Sequence, residues 1–194
     1  MQEWQGIRRQ YRQHAARDHE GVLELLIDRL RDYDATVQRV SRDEVSAVAA
    51  RLAAARGIRR MVVPEGLDPA LLPAGLACET DRGLSAEELD GLDGVMTGCT
   101  LAIAETGTIV LQRVAGQGRR AISLVPDYHL CVVDEARVVE TVPEAMARLQ
   151  PTAALATTFF SGPSATADIE MTRIKGVHGP RFLDVLLVRD GERL

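Results

Sequence analysis

Apolar positions recur with two different periods along this chain, and the periods divide it. In "EGVLELLIDRLRDY" the residues Val22, Leu23, Leu26, Ile27 and Leu30 fall at helical spacing, which predicts a helix with one buried stripe. "TVQRV" follows as a strand. "SRDEVSAVAARLAAARG" is the next helix, with Ser41 as N-cap, Glu44 at capping-box distance and Gly57 as its stop. "RRMVVPEG" is a short buried strand ended by Pro64. This strand–helix–strand alternation predicts an α/β architecture with a largely parallel sheet.

The pattern changes in the centre. "GVMTGCTLAIAETGTIVLQRVAGQGRRAISLVPDYHLCVV" carries several β-rich runs with short interruptions, which fits strands meeting in hairpins. "TVPEAMARL" is a helix with Pro143 in its first turn, "AALATTFF" a buried strand and "FLDVLLVRDG" the last strand. No internal repeat or linker divides the chain. The expected organisation is an N-terminal helical extension, 1–34, followed by one α/β domain, 35–194.

Composition narrows the function classes. The chain has 194 residues, 46% of them hydrophobic, enough for one domain with a real core. Its net charge of -5, with acids interleaved among the arginines, argues against a nucleic-acid partner. No stretch approaches the roughly 18 apolar residues of a membrane span. The opening "MQEWQGIRRQYRQ" lacks the apolar core of a signal peptide, so the expected location is cytoplasmic, without membrane. Cys78, Cys99 and Cys131 form no CxxC pair, so neither a zinc knuckle nor an iron–sulfur cluster is expected from this chain's own cysteines.

One motif tempts and fails. "GQGRRA", from Gly116, satisfies G-x-G-x-x-A, but a dinucleotide site needs a helix to open there. "ISLVPDYHLCVV" follows instead, and glycines in a tight connection between strands explain the pattern more simply. No flavin or nicotinamide cofactor is expected in this chain. His129, in the alternating run Val125, Asp127, His129, Cys131, Val133, is read mainly as structural.

Two other stretches carry candidate chemistry. "AIAETGTIVL" sets Glu105 before Thr106, Gly107 and Thr108. Two readings stand equal: a carboxylate partly desolvated at a strand end, suited to acid–base work, or an exposed acid on a hairpin turn. "SGPSATADIE" turns after an apolar run. A helix from about Ser164 to Lys175 would leave first-turn amides for an anion, with Ser164 and Thr166 adding hydroxyls. Asp168 and Glu170 would then point about 200° apart, so at most one would face a pocket. In an extended segment both would share one side. "GVHGP" places His178 between glycines, where it can shuttle a proton, the commoner reading being a loop histidine with no catalytic task. Asp168, Glu170 and His178 match no standard metal-ligand spacing, so no metal site is assigned.

In this order and spacing, "AIAETGTIVL", "SLVPDYHLCVV", "SGPSATADIE" and "GVHGP" resemble the lactate-utilization protein C family (LutC/YkgG type, the LUD domain). The resemblance runs through most of residues 40 to 190. It implies a three-layer α/β/α sandwich, a mostly parallel sheet with β-hairpin insertions, like the NagB/RpiA/CoA transferase-like fold. It also implies a part in the oxidation of L-lactate to pyruvate with iron–sulfur partner proteins, the catalytic role of this component being unsettled. Carried onto this chain, Glu105, Asp168, Glu170 and His178 become the candidate catalytic residues. Thr106, Gly107, Thr108, Gly162, Ser164, Thr166 and Gly179 become candidate ligand-binding residues. The turn at 161–170 is expected to line one pocket with Glu105, at the carboxyl ends of the sheet strands. Two alternatives remain: a stand-alone enzyme on a small carboxylic acid, sugar phosphate, folate or acyl-CoA, using Glu105 and Asp168, or a non-catalytic interaction module.

Overall fold

The computed structural model describes residues 15–166, 174–175 and 179–189. In chain order its elements begin with α1 (His19–Asp32), β1 (Thr36–Val40), α2 (Val45–Ala55), β2 (Arg60–Pro64), β3 (Ala77–Asp81) and α3 (Ala86–Asp90). There follow β4 (Gly94–Thr97), β5 (Leu101–Ile103), β6 (Thr108–Gln112), β7 (Tyr128–Asp134), β8 (Val138–Val139) and α4 (Val142–Leu149). The last are β9 (Thr157–Phe160), β10 (Ala165–Thr166), β11 (Ile174–Lys175) and β12 (Phe182–Val188).

Six strands form the main sheet in the order β1-β12-β7-β4-β2-β3, and every neighbouring pair is parallel. Alternation along each strand builds a core on either face. Leu183, Val185 and Leu187 of β12 join Cys131 and Val133 of β7 on one face, against Leu23, Leu26 and Leu30 of α1. Leu186 and Val188 join Tyr128, Leu130 and Val132 on the other, against Val45, Ala49 and Leu52 of α2. Helices thus flank both faces of a parallel sheet, the three-layer arrangement expected from the sequence.

A second sheet, β8-β5-β6-β9, contains the hairpin of β5 and β6. It lends Ala102, Ile109 and Leu111 to the α1-side core, while Leu101, Ile103 and Val110 pack under Ala145 and Leu149 of α4. Helix α1 is one wall of the larger core. The chain before it is tied down by Glu140, whose carboxylate accepts from the amides of Ala16 and Arg17 and from Arg17 Nη1 at 2.7 Å.

Local signals placed the helix ends well. The backbone N–H of Ser41 donates to Glu44 Oε2 at 2.8 Å, a capping box that closes a 3-10 turn, Arg42–Glu44, leading into α2 at Val45, and Gly57 leaves α2 with φ of 70°. Three expectations need correction. The stretch 164–175 is not one helix: its described ends, β10 and β11, pair antiparallel, Thr166 opposite Ile174. Both of those residues are β-branched and favour strands. "AALATTFF" does not end in a buried strand either, because β9 is the edge of the smaller sheet and leaves Phe159 45% exposed. The connection holding Gly116 and Gly118 is long rather than tight, with a single 3-10 turn at Arg120–Ser123 before β7. That turn is too short to open a dinucleotide-binding helix.

Candidate functional site

The turn after β9 closes a cavity of about 220 Å³ against the amino ends of β7 and β12. Gly162, Ser164 and Gly179, three of the candidates read from sequence, line it together with Arg120, Ser123, His129, Ser161 and Leu183. That turn arrives here only because β9 pairs with β6, Phe160 opposite Ile109. The other side of the turn is fixed by the amide of Ser164, which donates to the carbonyl of Pro180 at 2.8 Å. This joins the "SGPS" turn to the segment ahead of β12.

A file of hydroxyls connects the other conspicuous motif to this cavity. Thr106 Oγ1 lies 2.7 Å from Thr108 Oγ1, which lies 2.7 Å from Ser161 Oγ on the cavity wall. "ETGT" therefore reaches the site through Thr108, which is buried. Glu105 itself is exposed on the turn between β5 and β6 and does not line the cavity. Of the two readings of Glu105, the hairpin turn is the one the fold adopts. The expected location also changes: the "SGPS" turn sits at the amino ends of the parallel strands, not the carboxyl ends. Asp168, Glu170 and His178 lie outside the described residues, as does the side chain of Thr166. Among the described residues no group of three or more histidine, cysteine or acidic side chains could hold a metal.

Two motif glycines have packing duties. Gly107 has φ of 57°, and a Cβ there would come within 2.9 Å of Arg29 Cβ. Gly162 has φ of 74°, and its added Cβ would lie 2.3 Å from Tyr33 Cβ. Both loops are thereby seated on the carboxyl-terminal end of α1. Their absence of side chains serves that close approach, which then positions Thr108, Ser161 and Ser164.

Arg120, Ser123 and His129 of the cavity were not singled out from sequence as site residues. Arg120 and Ser123 belong to the 3-10 turn, where Arg120 Nη1 donates to Ser123 Oγ at 3.1 Å. No local pattern marks them, since only the β7 crossover brings that turn beneath β9. His129, taken from the sequence mainly as structural, does have its structural contacts. Its Nε2 is 2.8 Å from Thr97 Oγ1, and its ring lies 5.3 Å from that of Phe160. It also faces the cavity. A polar residue inside an alternating apolar strand was the available signal.

Burial, helped by the positive charge of Arg120, pushes the His129 imidazole down to about 3. The ring is neutral at physiological pH and offers one donor and one acceptor. In the unfolded chain it takes a proton near 6.5. The unfolded state therefore binds more protons between these values, and stability falls as pH drops through that window. The expected slope from His129 approaches about 1.4 kcal/mol per pH unit once well below 6.5. Urea midpoints at pH 7.5, 6 and 5 check this, ahead of carboxylate titration. His129→Gln should flatten the slope; equal slopes in both proteins would remove His129 as its cause.

The LUD domain profile matches residues 14–188. The chain belongs to the LUD domain family. A "Lactate utilization protein C" of Deinococcus radiodurans is 44% identical over 170 residues, covering 86% of this LUD chain and 79% of that protein. The protein of the same name from Halalkalibacterium halodurans is 34% identical over 54% of this chain, which spans 47% of its length. The crystal structure of a DUF162 family protein from Deinococcus radiodurans superposes with a TM-score of 0.77 at 37% identity, over 89% of this chain and 99% of that one. The matched span of the LUD domain includes α1, in keeping with its place in the core and under both motif glycines.

Proposed function

We propose that this LUD-domain chain is a component of L-lactate utilization, acting in the oxidation of L-lactate to pyruvate beside iron–sulfur partner proteins. The observation that carries the reading is the 44% identity, over 86% of the chain, to a lactate utilization protein C. In this reading electrons are handled by the partners. The chain's three cysteines fall short of the four thiolates of a usual cluster, and two of them, Cys99 and Cys131, are buried.

The cavity beside β9 is the proposed place of a small carboxylate. Its volume of about 220 Å³ lies below the range of drug-sized ligand sites, so a ligand of few atoms suits it. Arg120 would hold the carboxylate, because apart from its bonds to Ser123 within the 3-10 turn its N–H groups have no hydrogen bond among the described residues. Ser123, Ser161 and Ser164 present hydroxyls to the rest of the ligand, and neutral His129 adds a polar group at the floor. Roles for Asp168, Glu170 and His178 in moving protons belong to the same proposal.

Deletion of the gene should abolish growth of the host on L-lactate while leaving growth on pyruvate intact, and the wild-type chain should restore it. Arg120→Gln removes a charged hydrogen bond of about 1.5–3 kcal/mol, so the purified variant should bind lactate or pyruvate roughly 10- to 100-fold more weakly by calorimetry. Normal growth of the deletion strain on L-lactate would overturn the reading. Unchanged carboxylate affinity in the Arg120 variant would move the ligand elsewhere.

A further inference from the structure

The "GQG" loop, which has no part in the site above, occupies a second position of chemical interest. The chain leaves β2 toward β3 on one side and leaves β4 toward β7 on the other, so the strand order reverses between β2 and β4. In open α/β sheets the crevice beyond the carboxyl ends at such a reversal is the favoured ligand position. Here Gly116 sits in it. Its amide donates to the carbonyl of Glu65 after β2, and its carbonyl accepts from the amide of Gly98 after β4, each at 2.8 Å. An added Cβ on Gly66 would meet Ala115 Cβ at 2.7 Å, which shows how closely the loop is seated.

Next to this loop, beyond Pro64 of β2 and Asp81 of β3, lies an open cleft of about 750 Å³. That volume falls within the roughly 300–1,000 Å³ of small-molecule sites. Three arginines line it: Arg82, Arg113 and Arg119. Arg119 is committed to Asp81, with Nε at 2.7 Å and Nη2 at 2.9 Å from its two oxygens. Arg82 makes only a loose pair with Glu65, at 3.8 Å with both side chains exposed. Arg113 has no hydrogen bond or ion pair from its side chain among the described residues. With Glu65 and Asp81 as its acids, the cleft carries a surplus positive charge on a chain of net charge -5.

We infer that this carboxyl-end cleft is a second ligand site, which binds a phosphate-bearing small molecule through Arg113 and Arg82. A planar guanidinium without a partner matches phosphate oxygens two at a time. A dianion would draw Arg82 away from Glu65, since an exposed pair at that distance contributes little. The site is separate from the carboxylate cavity, which lies at the opposite ends of the strands, and it does not depend on the lactate reading.

Calorimetry with ADP and with inorganic pyrophosphate tests it on the full chain. Both probes should bind at one site per chain with a Kd below about 1 mM, a modest free energy for charge-assisted contacts. Arg113→Gln should weaken binding about tenfold, and Glu65→Gln should strengthen it several-fold by removing the competing carboxylate. Arg120→Gln, at the other cavity, should leave both affinities unchanged. Arg113, Glu65 and Arg120 are exposed, and unchanged circular dichroism of each variant confirms folding. No binding of either probe at millimolar concentration would overturn the proposal. So would an unaltered affinity in Arg113→Gln, a weaker one in Glu65→Gln, or an equal loss in Arg120→Gln.

Discussion

Gly162→Ala is expected to destabilise the protein by roughly 2–5 kcal/mol, the sum of about 1–2 for a side chain in the left-handed region and about 1–3 for overpacking. The added methyl would lie 2.3 Å from Tyr33 Cβ and 2.9 Å from the Tyr33 carbonyl oxygen. Neither atom is the free end of a flexible side chain, so relief requires moving the end of α1 or the "SGPS" turn. Gly57→Ala is the matched comparison. Gly57 also has a positive φ, of 70°, but nothing stands within 4 Å of its added Cβ. That variant should lose only the conformational part, about 1–2 kcal/mol. Urea unfolding of both variants separates packing from backbone strain. If the two losses are equal, the close approach to Tyr33 contributes nothing.

Gly162 makes this contact and also lines the cavity beside β9. A glycine beside serine and proline looks alike whether it admits a phosphate or a neighbouring helix. The deciding atom, Tyr33 Cβ, is 129 positions away. What local pattern could settle, it did: the stripe of α1, the capping box at Ser41 and Glu44, and the last strand, β12. What it could not settle depended on partners distant in sequence. β9 has the composition of a core strand, yet it is half-exposed because the smaller sheet ends there. Glu105 follows an apolar strand, but the hairpin that ends it turns the acid outward. Ser164 and Gly179 do converge, through the bond from the Ser164 amide to the Pro180 carbonyl. They meet at the amino ends of the strands because β9 enters the second sheet beside β6, and no nearby residue encodes that pairing.

Asp184 shows the same limit and has the second large expected effect. It interrupts the apolar run of β12 and is fully buried. Arg56, at the end of α2, donates to both its oxygens, from Nη2 at 2.6 Å and Nε at 3.0 Å, and the Tyr128 hydroxyl donates to Oδ2 at 3.0 Å. The guanidinium also lies over the rings of Phe182 and Tyr128, 4.8 and 5.5 Å from their centroids. Burial beside this carboxylate holds the Tyr128 phenol well above its ordinary range, so it stays a donor. Asp184→Leu would leave Arg56 without its counter-charge and Tyr128 without its acceptor. Breaking a buried pair in this way costs about 3–5 kcal/mol. Because a quarter of the Arg56 side chain reaches solvent, the loss should fall near the lower end, about 3 kcal/mol. Replacing all three polar partners, with Arg56→Met, Tyr128→Phe and Asp184→Leu together, should recover most of that loss, since the desolvation cost goes with the charges. Chemical denaturation of the single and triple variants distinguishes the cases. A triple variant weaker than Asp184→Leu alone would mean that the network contributes net stability beyond the removal of an orphaned charge.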